Sequence, residues 1–223
     1  MKSYLTLVAE AAARPSDHEN LGLLVKISPT LFTIIFYDVE EFRATVSSHL
    51  ASGAKPKKLV DGLRKCLVGS MSLTKGSTAP HGAWTVVFAK AKRGYGPMMY
   101  DYAMKRLGAI MSDRNDVSMD ARNVWKKYFE RRDVVHMPID DIENPKTPPP
   151  EDDGEVFSKD PKDPLNYVYR AVSRSTTEYL PAETRSRNCL QETESLGIPK
   201  KNLESYLNQA SMDEFSSIVS GAS

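Results

Sequence analysis

Apolar runs separated by polar turns predict a series of short β-strands through the first two thirds of the chain. Each run is rich in Val, Ile, Leu, Phe or Tyr, the composition of strands that have at least one buried face. The turn Ser28-Pro29-Thr30 separates the first two runs, and a loop around Gly76 separates the third from the fourth. The predicted strands cover residues 21–27, 31–37, 66–73, 83–89 and 133–139.

Apolar residues at helical spacing predict helices between these strands. Asp38 is placed to cap the first helix with its side chain, and Glu40 and Glu41 fall in the first turn, where carboxylates suit the helix dipole. Ser118 is a second good N-cap residue. The predicted helices cover residues 38–50, 97–107 and 118–131, and residues 59–63 form either a short helix or a loop.

The two ends of the chain have a different pattern from the middle. Helix formers dominate the N-terminal end, whereas five prolines and several acids after Asn144 predict an extended linker. Beyond it, apolar spacing from Leu165 onward predicts helices with a thin apolar face, which either wrap the main domain or dock on a partner. The predicted segments are an N-terminal helix within 1–20, a domain at 21–143, a linker at 144–163 and a helical extension at 164–223.

The composition is that of a globular protein whose positive and negative charges nearly balance. The chain has 223 residues, of which 26% are charged, and a formal net charge of +1, so no general attraction to nucleic acid or to an anionic membrane is expected. Cys66 and Cys189 lie far apart, which indicates neither a disulfide framework nor a zinc motif, and Cys66 is expected in the core. Without a recognisable signal peptide or membrane-length apolar stretch, the sequence predicts a cytoplasmic protein.

The stretch from Lys90 to Pro97 contains the parts of a phosphate-binding corner. A strand leads into a basic turn, Gly94-Tyr95-Gly96 follows, and Pro97 suits the first position of the next helix. Glycine lets a ligand approach the backbone closely, and the free amides at a helix N-terminus attract an anion. The same residues are also typical of an ordinary turn from strand to helix. The sequence contains neither a P-loop pattern nor a dinucleotide-binding fingerprint.

Two spaced blocks in the chain resemble the GNAT superfamily of N-acetyltransferases. Residues 91–96 (AKRGYG) match both glycines of the family's acyl-CoA loop, which lies between the fourth strand and the third helix, but Ala91 replaces its usual Gln or Arg. Ser118, Ala121, Val124 and Trp125 follow the spacing of a second family block, which normally begins with Asn and ends with Leu-Tyr. The segments GYGPMMYD and SDRNDVSMDARNVWKKY resemble the corresponding segments of a GNAT-like subgroup common in tailed-bacteriophage genomes. The resemblance covers roughly residues 21–139.

The resemblance implies a fold and a cofactor. The fold is α/β, of the α+β kind: a mixed, mostly antiparallel sheet flanked by helices, with a fifth strand at residues 109–111, which are too few to assign from their pattern. The cofactor is acetyl-CoA, bound where the fourth and fifth strands splay apart. Its thioester oxygen would meet a backbone amide near Phe88 or Ala89. Its diphosphate would meet the amides of Lys92, Arg93, Gly94, Tyr95 and Gly96.

The sequence contains several candidates for the acid and the base of an acetyl transfer. Many members of the superfamily return a proton to the CoA thiolate from the tyrosine that closes the second block, where this chain has Trp125. Tyr128, three residues further on, lies on a similar helical face and is the nearest substitute, although a buried structural tyrosine is the competing interpretation. The residues considered as a general base are His81, His136, Asp113 and Asp116, none of them at a family-defined position.

The sequence therefore supports two hypotheses about function. The first is an acetyltransferase that moves an acetyl group from acetyl-CoA to a primary amine of a protein or small molecule. The second is a catalytically inactive GNAT-fold protein of a bacteriophage, either a virion component or a binder of a host protein, with the C-terminal helices as a docking surface. A nucleic-acid binder is not favoured, because no matching motif accompanies the basic run.

Overall fold

A seven-stranded, mostly antiparallel sheet with helices on both faces organises the described part of the chain. The structure is a computed structural model that describes residues 19–76, 79–113, 117–141, 153–154 and 157–216. The strands are β1 (Leu21–Ile27), β2 (Leu31–Asp38), β3 (Leu67–Thr74), β4 (Trp84–Ala91), β5 (Ile110–Ser112), β6 (Val134–Pro138), β7 (Asp140–Asp141), β8 (Asp153–Gly154) and β9 (Tyr167–Ala171). The helices are α1 (Val39–Ser52), α2 (Pro56–Leu63), α3 (Gly96–Leu107), α4 (Met119–Glu130), α5 (Leu180–Ser195) and α6 (Lys200–Ser216).

The main sheet has the strand order β1-β2-β3-β4-β5-β9-β6. Strands β1 to β4 form an antiparallel series, β5 lies parallel to β4, and β9 pairs antiparallel with both β5 and β6. Strands β7 and β8 form a separate short parallel pair. The predicted mixed class with a mostly antiparallel sheet is confirmed.

Alternate residues of β2 fill two separate cores. Phe32, Ile34 and Phe36 pack with residues of α3 and α4 on one face of the sheet. Ile35 and Tyr37 pack with residues of α1, α2, α5 and α6 on the other face. Because successive side chains of a strand point to opposite faces, burial on both sides explains why this run is continuously apolar in the sequence.

The predicted helix caps are present. The Asp38 side chain accepts a hydrogen bond from the Glu41 amide at 2.9 Å, and the Ser118 hydroxyl accepts one from the Ala121 amide at 3.2 Å. Helix α1 ends at Gly53, whose φ of 58° is in the left-handed region that favours glycine. Residues 59–63, for which the sequence allowed a helix or a loop, lie in α2.

Strand β9 is the main departure from the predicted secondary structure. Residues 165–172 have the apolar spacing of a helix, but residues 164–166 form a short 3-10 turn and Tyr167–Ala171 is a strand. Tyr167, Val168 and Tyr169 are aromatic or β-branched, and both edges of β9 find backbone partners between β5 and β6. The predicted helical extension therefore begins inside the sheet, and the proline-rich linker connects two strands of one sheet.

The rest of the extension is helical, as predicted, and it lies against the sheet. At α5, the Tyr37 hydroxyl lies 2.5 Å from the Ser186 Oγ, and Arg185 donates to the Leu21 carbonyl at 3.0 Å. At α6, Leu203 and Leu207 are buried in the core that α1 and α2 also form. Of the two arrangements expected for these helices, the structure has the one in which they wrap the domain.

Some sequence predictions fall outside the described residues. These are residues 1–18 of the N-terminal segment, residues 144–152 and 155–156 of the predicted linker, and residues 217–223 of the predicted extension. In the part of the chain that the structure describes, no helix is both long and apolar enough to cross a membrane.

Candidate functional site

Strand β4 loses one of its two neighbours halfway along its length. Only Trp84, Thr85 and Val86 of β4 pair with β5, whereas β3 continues beside β4 as far as Ala91. The β3–β4 register shifts so that β4 has one extra residue, Val87, between two pairs. Such a bulge bends a strand and increases its twist, so β4 and β5 diverge beyond this point. The divergence leaves a gap in the middle of the sheet.

Backbone amides of β4 face this gap. The Lys92 amide donates to the Val68 carbonyl of β3 at 2.8 Å. Because alternate residues of an antiparallel strand direct their N–H groups to opposite sides, the amides of Ala89 and Ala91 point away from β3. Of Phe88 and Ala89, the two residues proposed from the sequence to meet a thioester oxygen, Ala89 therefore has the amide on the side of the gap.

A cavity of about 170 Å³ occupies the gap. Its walls are residues 86–89 of β4, Ser112 and Asp113 at the end of β5, the first two turns of α4 with the loop before them, and Tyr100 of α3. The volume is well below the roughly 300 Å³ at which pockets for drug-sized ligands begin. The cavity therefore suits a slender chain, not a broad ring system.

The glycine corner lies further along β4. Lys92 follows Ala89 by three residues, which at about 3.3 Å per residue places the corner roughly 10 Å from the cavity wall. Gly94 has a φ of 94°, which favours glycine, and a Cβ added at Gly94 or Gly96 would meet no described heavy atom within 4 Å. Space above both glycines is therefore open to a ligand.

Positive charge and helix amides border this corner. Lys92 and Arg93 are both exposed, and Lys92 Nζ donates to the Lys65 carbonyl at 3.3 Å. Pro97 has no amide hydrogen, and the first α-helical bond from the start of α3 runs from the Met99 amide to the Tyr95 carbonyl at 3.4 Å. The Tyr95 amide donates to the Lys92 carbonyl at 3.2 Å, whereas the first amides of α3 itself point out of the helix end, which is the arrangement that attracts anions.

The predicted acid Tyr128 lies behind the corner, not in the cavity wall. It is buried, and its hydroxyl lies 2.8 Å from the Pro97 carbonyl and 2.9 Å from the Asp101 carboxylate. Arg131 also bonds Asp101, at 2.7 Å. Burial raises the pKa of Tyr128 well above its usual value, and the Asp101 charge raises it further. These contacts fasten α4 to the first turns of α3, and the catalytic role proposed for Tyr128 stays a prediction.

Trp125 and Tyr100 form the aromatic wall of the cavity. Trp125, at the position where the family pattern has its tyrosine, is fully buried and can donate only an indole N–H, which is not an acid. Tyr100 meets it edge to face, with ring centroids 5.3 Å apart and an interplanar angle of 88°. Tyr100 was not among the residues predicted from the sequence. The signal that could have indicated it is Trp125, which stands where the GNAT pattern has a tyrosine and supplies no hydroxyl.

The four residues considered as a base lie in different places. His81 is in the turn that leads into β4, with a φ of 50° and its ring nitrogen 3.2 Å from the Pro138 carbonyl. His136 is exposed on β6 beside Phe129. Asp116 is outside the described residues. Asp113 is therefore the one of the four that is known to border the cavity.

A second and larger concavity lies on the outer side of α1 and α2. It has a volume of about 850 Å³ and is lined by acids of α1 and by Lys58 and Lys65. None of the β4 residues lines it. Within the described residues, no three His, Cys, Asp or Glu side chains come together in a group that could hold a metal ion.

Comparisons with known proteins add no family to these observations. No protein-family model matches the chain, and no curated protein or solved structure matches it either. The class is therefore defined by the fold and the site: a mixed α/β protein whose sheet opens between β4 and β5, beside an unobstructed glycine corner.

Proposed function

We propose that this protein is a GNAT-type acetyltransferase that moves an acetyl group from acetyl-CoA to a primary amine of a protein or small molecule. The observation that supports it best is the position of the cavity. The cavity opens where β5 leaves β4, on the same strand that leads into the open Gly94–Gly96 corner. A ligand with a diphosphate at one end and a slender arm at the other fits this combination.

The corner would hold the diphosphate. The amides of Arg93, Gly94 and Gly96 would donate to its oxygens, and the dipole of α3 would favour the negative charge. The amides of Lys92 and Tyr95, which the sequence also suggested, already donate to the Val68 and Lys92 carbonyls at 2.8 and 3.2 Å. The exposed side chains of Lys92 and Arg93 would add charge at the rim. A glycine at position 94 is needed for the backbone conformation, since its φ is 94°.

The gap would hold the arm and the thioester. The thioester oxygen would accept a hydrogen bond from the backbone beside Phe88 and Ala89, where the Ala89 amide faces the gap. Attack by the neutral amine forms the C–N bond. The C–S bond then breaks with its electron pair going to sulfur, and the nitrogen loses the proton that the sulfur finally gains. No residue is assigned as the base for this step.

A second candidate is a GNAT-fold protein of a bacteriophage that binds without catalysis. Ala91, Trp125 and the hydrogen-bonded position of Tyr128 favour it, because each removes or occupies a group that the family uses. Such a protein would act on the virion or on a host protein, with the outer surfaces of α5 and α6 as the docking face. Either candidate is proposed to work in the cytoplasm, that of the host if the chain is phage-encoded.

Calorimetric titration of acetyl-CoA tests the cofactor proposal. Gly96→Glu and Gly94→Glu place a carboxylate in the open corner, and we expect each to weaken binding at least tenfold, or about 1.4 kcal/mol. Gly76→Glu is the control for Gly96→Glu, since the nearest described atom to an added Cβ is 4.0 Å away and its φ is not in the left-handed region. Gly197→Glu is the control for Gly94→Glu, since its φ is 103° and its surroundings are open.

The controls and a second assay separate the two candidates. Equal binding by the wild type and all four variants would remove the cofactor from this site. If only the corner variants lose binding, release of free thiol is measured with a panel of primary amines. Turnover would support the enzyme, and binding without turnover with any amine would support the inactive candidate.

A further inference from the structure

Tyr100 differs from the buried tyrosines around it. Three of its neighbours in the core of α3 and α4 have a bonded hydroxyl: Tyr102 donates to Glu183 at 2.8 Å, Tyr128 to Pro97 or Asp101, and Tyr179 to the Met98 carbonyl at 3.3 Å. The Tyr100 hydroxyl has no hydrogen bond to any residue that the structure describes. Buried polar groups in native proteins are normally paired, so this hydroxyl calls for a partner.

The position of Tyr100 indicates where that partner would lie. Tyr100 is only 4% exposed, and it lines the cavity between β4 and β5. Its oxygen is not among the fully enclosed polar atoms that lack a partner, so it borders open space, and the cavity is the open space that the residue lines. The perpendicular contact with Trp125 fixes the ring in this direction.

We propose that the Tyr100 hydroxyl is the hydrogen-bond donor that receives the sulfur of the bound acyl thioester as the sulfur becomes a thiolate. This inference rests on the proposed acetyl transfer from acetyl-CoA. It assigns to α3 a role that the sequence suggested for Tyr128 on α4. The Tyr128 hydroxyl is engaged with Pro97 and Asp101, whereas that of Tyr100 has a cavity in front of it.

The chemistry of the step favours a donor that keeps its proton. Burial raises the pKa of Tyr100 above its usual value, so the hydroxyl stays protonated wherever the thiol ionises. As the C–S bond breaks, the electron pair and the negative charge move to sulfur, and the O–H dipole stabilises that charge. The proton that the sulfur gains comes from the attacking amine, so the tyrosine returns to its starting state without exchange.

Titration of the thiol of bound coenzyme A tests this role. Coenzyme A is added to the wild type and to Tyr100→Phe, and the ultraviolet absorbance of the thiolate is followed against pH. A hydrogen bond to the charged form lowers a pKa, so we expect the thiol of bound coenzyme A to titrate about one pH unit higher in Tyr100→Phe. Tyr102→Phe is the control, because it removes a buried hydroxyl from the same helix outside the cavity.

Each outcome has a definite meaning. An unchanged thiol pKa in Tyr100→Phe would overturn the inference while leaving coenzyme A binding intact. A shift in Tyr128→Phe in its place would return the role to Tyr128. Failure of folded wild-type protein to bind coenzyme A would overturn the proposed function itself, so the two failures are distinguishable.

Discussion

The two faces of the sheet are covered by different helices and differ in how completely their side chains pack. On one face, α1, α2, α5 and α6 close over a core that includes Tyr37, Cys66 and Cys189, and the Tyr37 hydroxyl is paired with Ser186. On the other face, α3 and α4 bring together a cluster of aromatic side chains, and one of them, Tyr100, borders the cavity. The first is the closed face of the sheet, and the cavity is lined mainly from the second, with Phe88 of the first core at its edge.

The difference shows how a sheet acquires a binding gap without losing its stability. Three strands in antiparallel register, β1 to β3, and the helices of the closed face hold β4 on one side, so β5 can leave β4 after three residue pairs. The network of Tyr128, Asp101 and Arg131 holds α4 against α3 behind the cavity. We infer that the cavity is a rigid feature supported from both sides.

The largest effect is expected from Trp125→Ala, which removes part of the cavity wall. Trp125 is fully buried and lies between Tyr100 and Tyr169, with ring centroids at 5.3 and 4.9 Å. If the wall is rigid, the variant leaves a void and loses ~3–5 kcal/mol of unfolding free energy. Urea unfolding followed by circular dichroism measures the loss.

Phe42→Ala on the closed face is the reference for that experiment. Phe42 is fully buried in α1, so its loss is expected in the same range. A cost for Trp125→Ala below about 1 kcal/mol, with the full cost for Phe42→Ala, would mean that the cavity side collapses easily, since the penalty depends on how far a site relaxes. The inferred rigidity would then be wrong.

Local sequence signals were sufficient for most of the secondary structure. Asp38 and Ser118 are caps whose side chains bond the amide three residues on, so a residue type and a spacing of three were enough to place α1 and α4. The open Gly94–Gly96 corner was visible for the same reason, because glycine and proline limit the backbone locally.

Features that depend on distant segments were not predictable in this way. Strand β9 exists because β5 and β6 both offer it an edge, and the apolar spacing from Leu165 onward fits a helix as well. The cavity is built from β4, β5, α3 and α4 together, so no single stretch contains its pattern. Tyr100 was not predicted as a site residue, because its position in the cavity wall depends on its contact with Trp125 on another helix.

An intermediate effect is expected from alkaline pH on the closed face. Burial, together with the charge of Glu41, raises the pKa of the Cys66 thiol from 9.0 to about 12. A group that binds its proton more tightly in the folded state contributes to the stability of the fold, and this contribution is complete at pH values below the group's pKa in the unfolded state. That stability is lost as the pH rises toward the folded pKa. The folded protein should therefore lose about 1.4 kcal/mol at pH 10 through this thiol.

Cys66→Ala separates the effect of this thiol on stability from the effects of the other groups that titrate at high pH. The variant lacks the thiol, so between pH 8 and pH 10 its unfolding free energy should fall less than that of the wild type, by about the same 1.4 kcal/mol. Urea unfolding at both pH values gives the four free energies. Parallel curves for the two proteins would show that the thiol ionises without unfolding, and the closed face would not be sealed.

The smallest effect, and the sharpest contrast, is expected from removing one hydroxyl on each side of the aromatic cluster. Tyr128→Phe should cost ~1 kcal/mol, because it deletes a buried hydrogen bond and leaves Asp101 with one partner fewer. Tyr100→Phe should stay within ~0.5 kcal/mol of the wild type, because its hydroxyl bonds no described residue. Urea unfolding without ligand measures both. If Tyr100→Phe is the more costly of the two, its hydroxyl already serves the folded protein, and the cavity has no unpaired donor to offer a ligand.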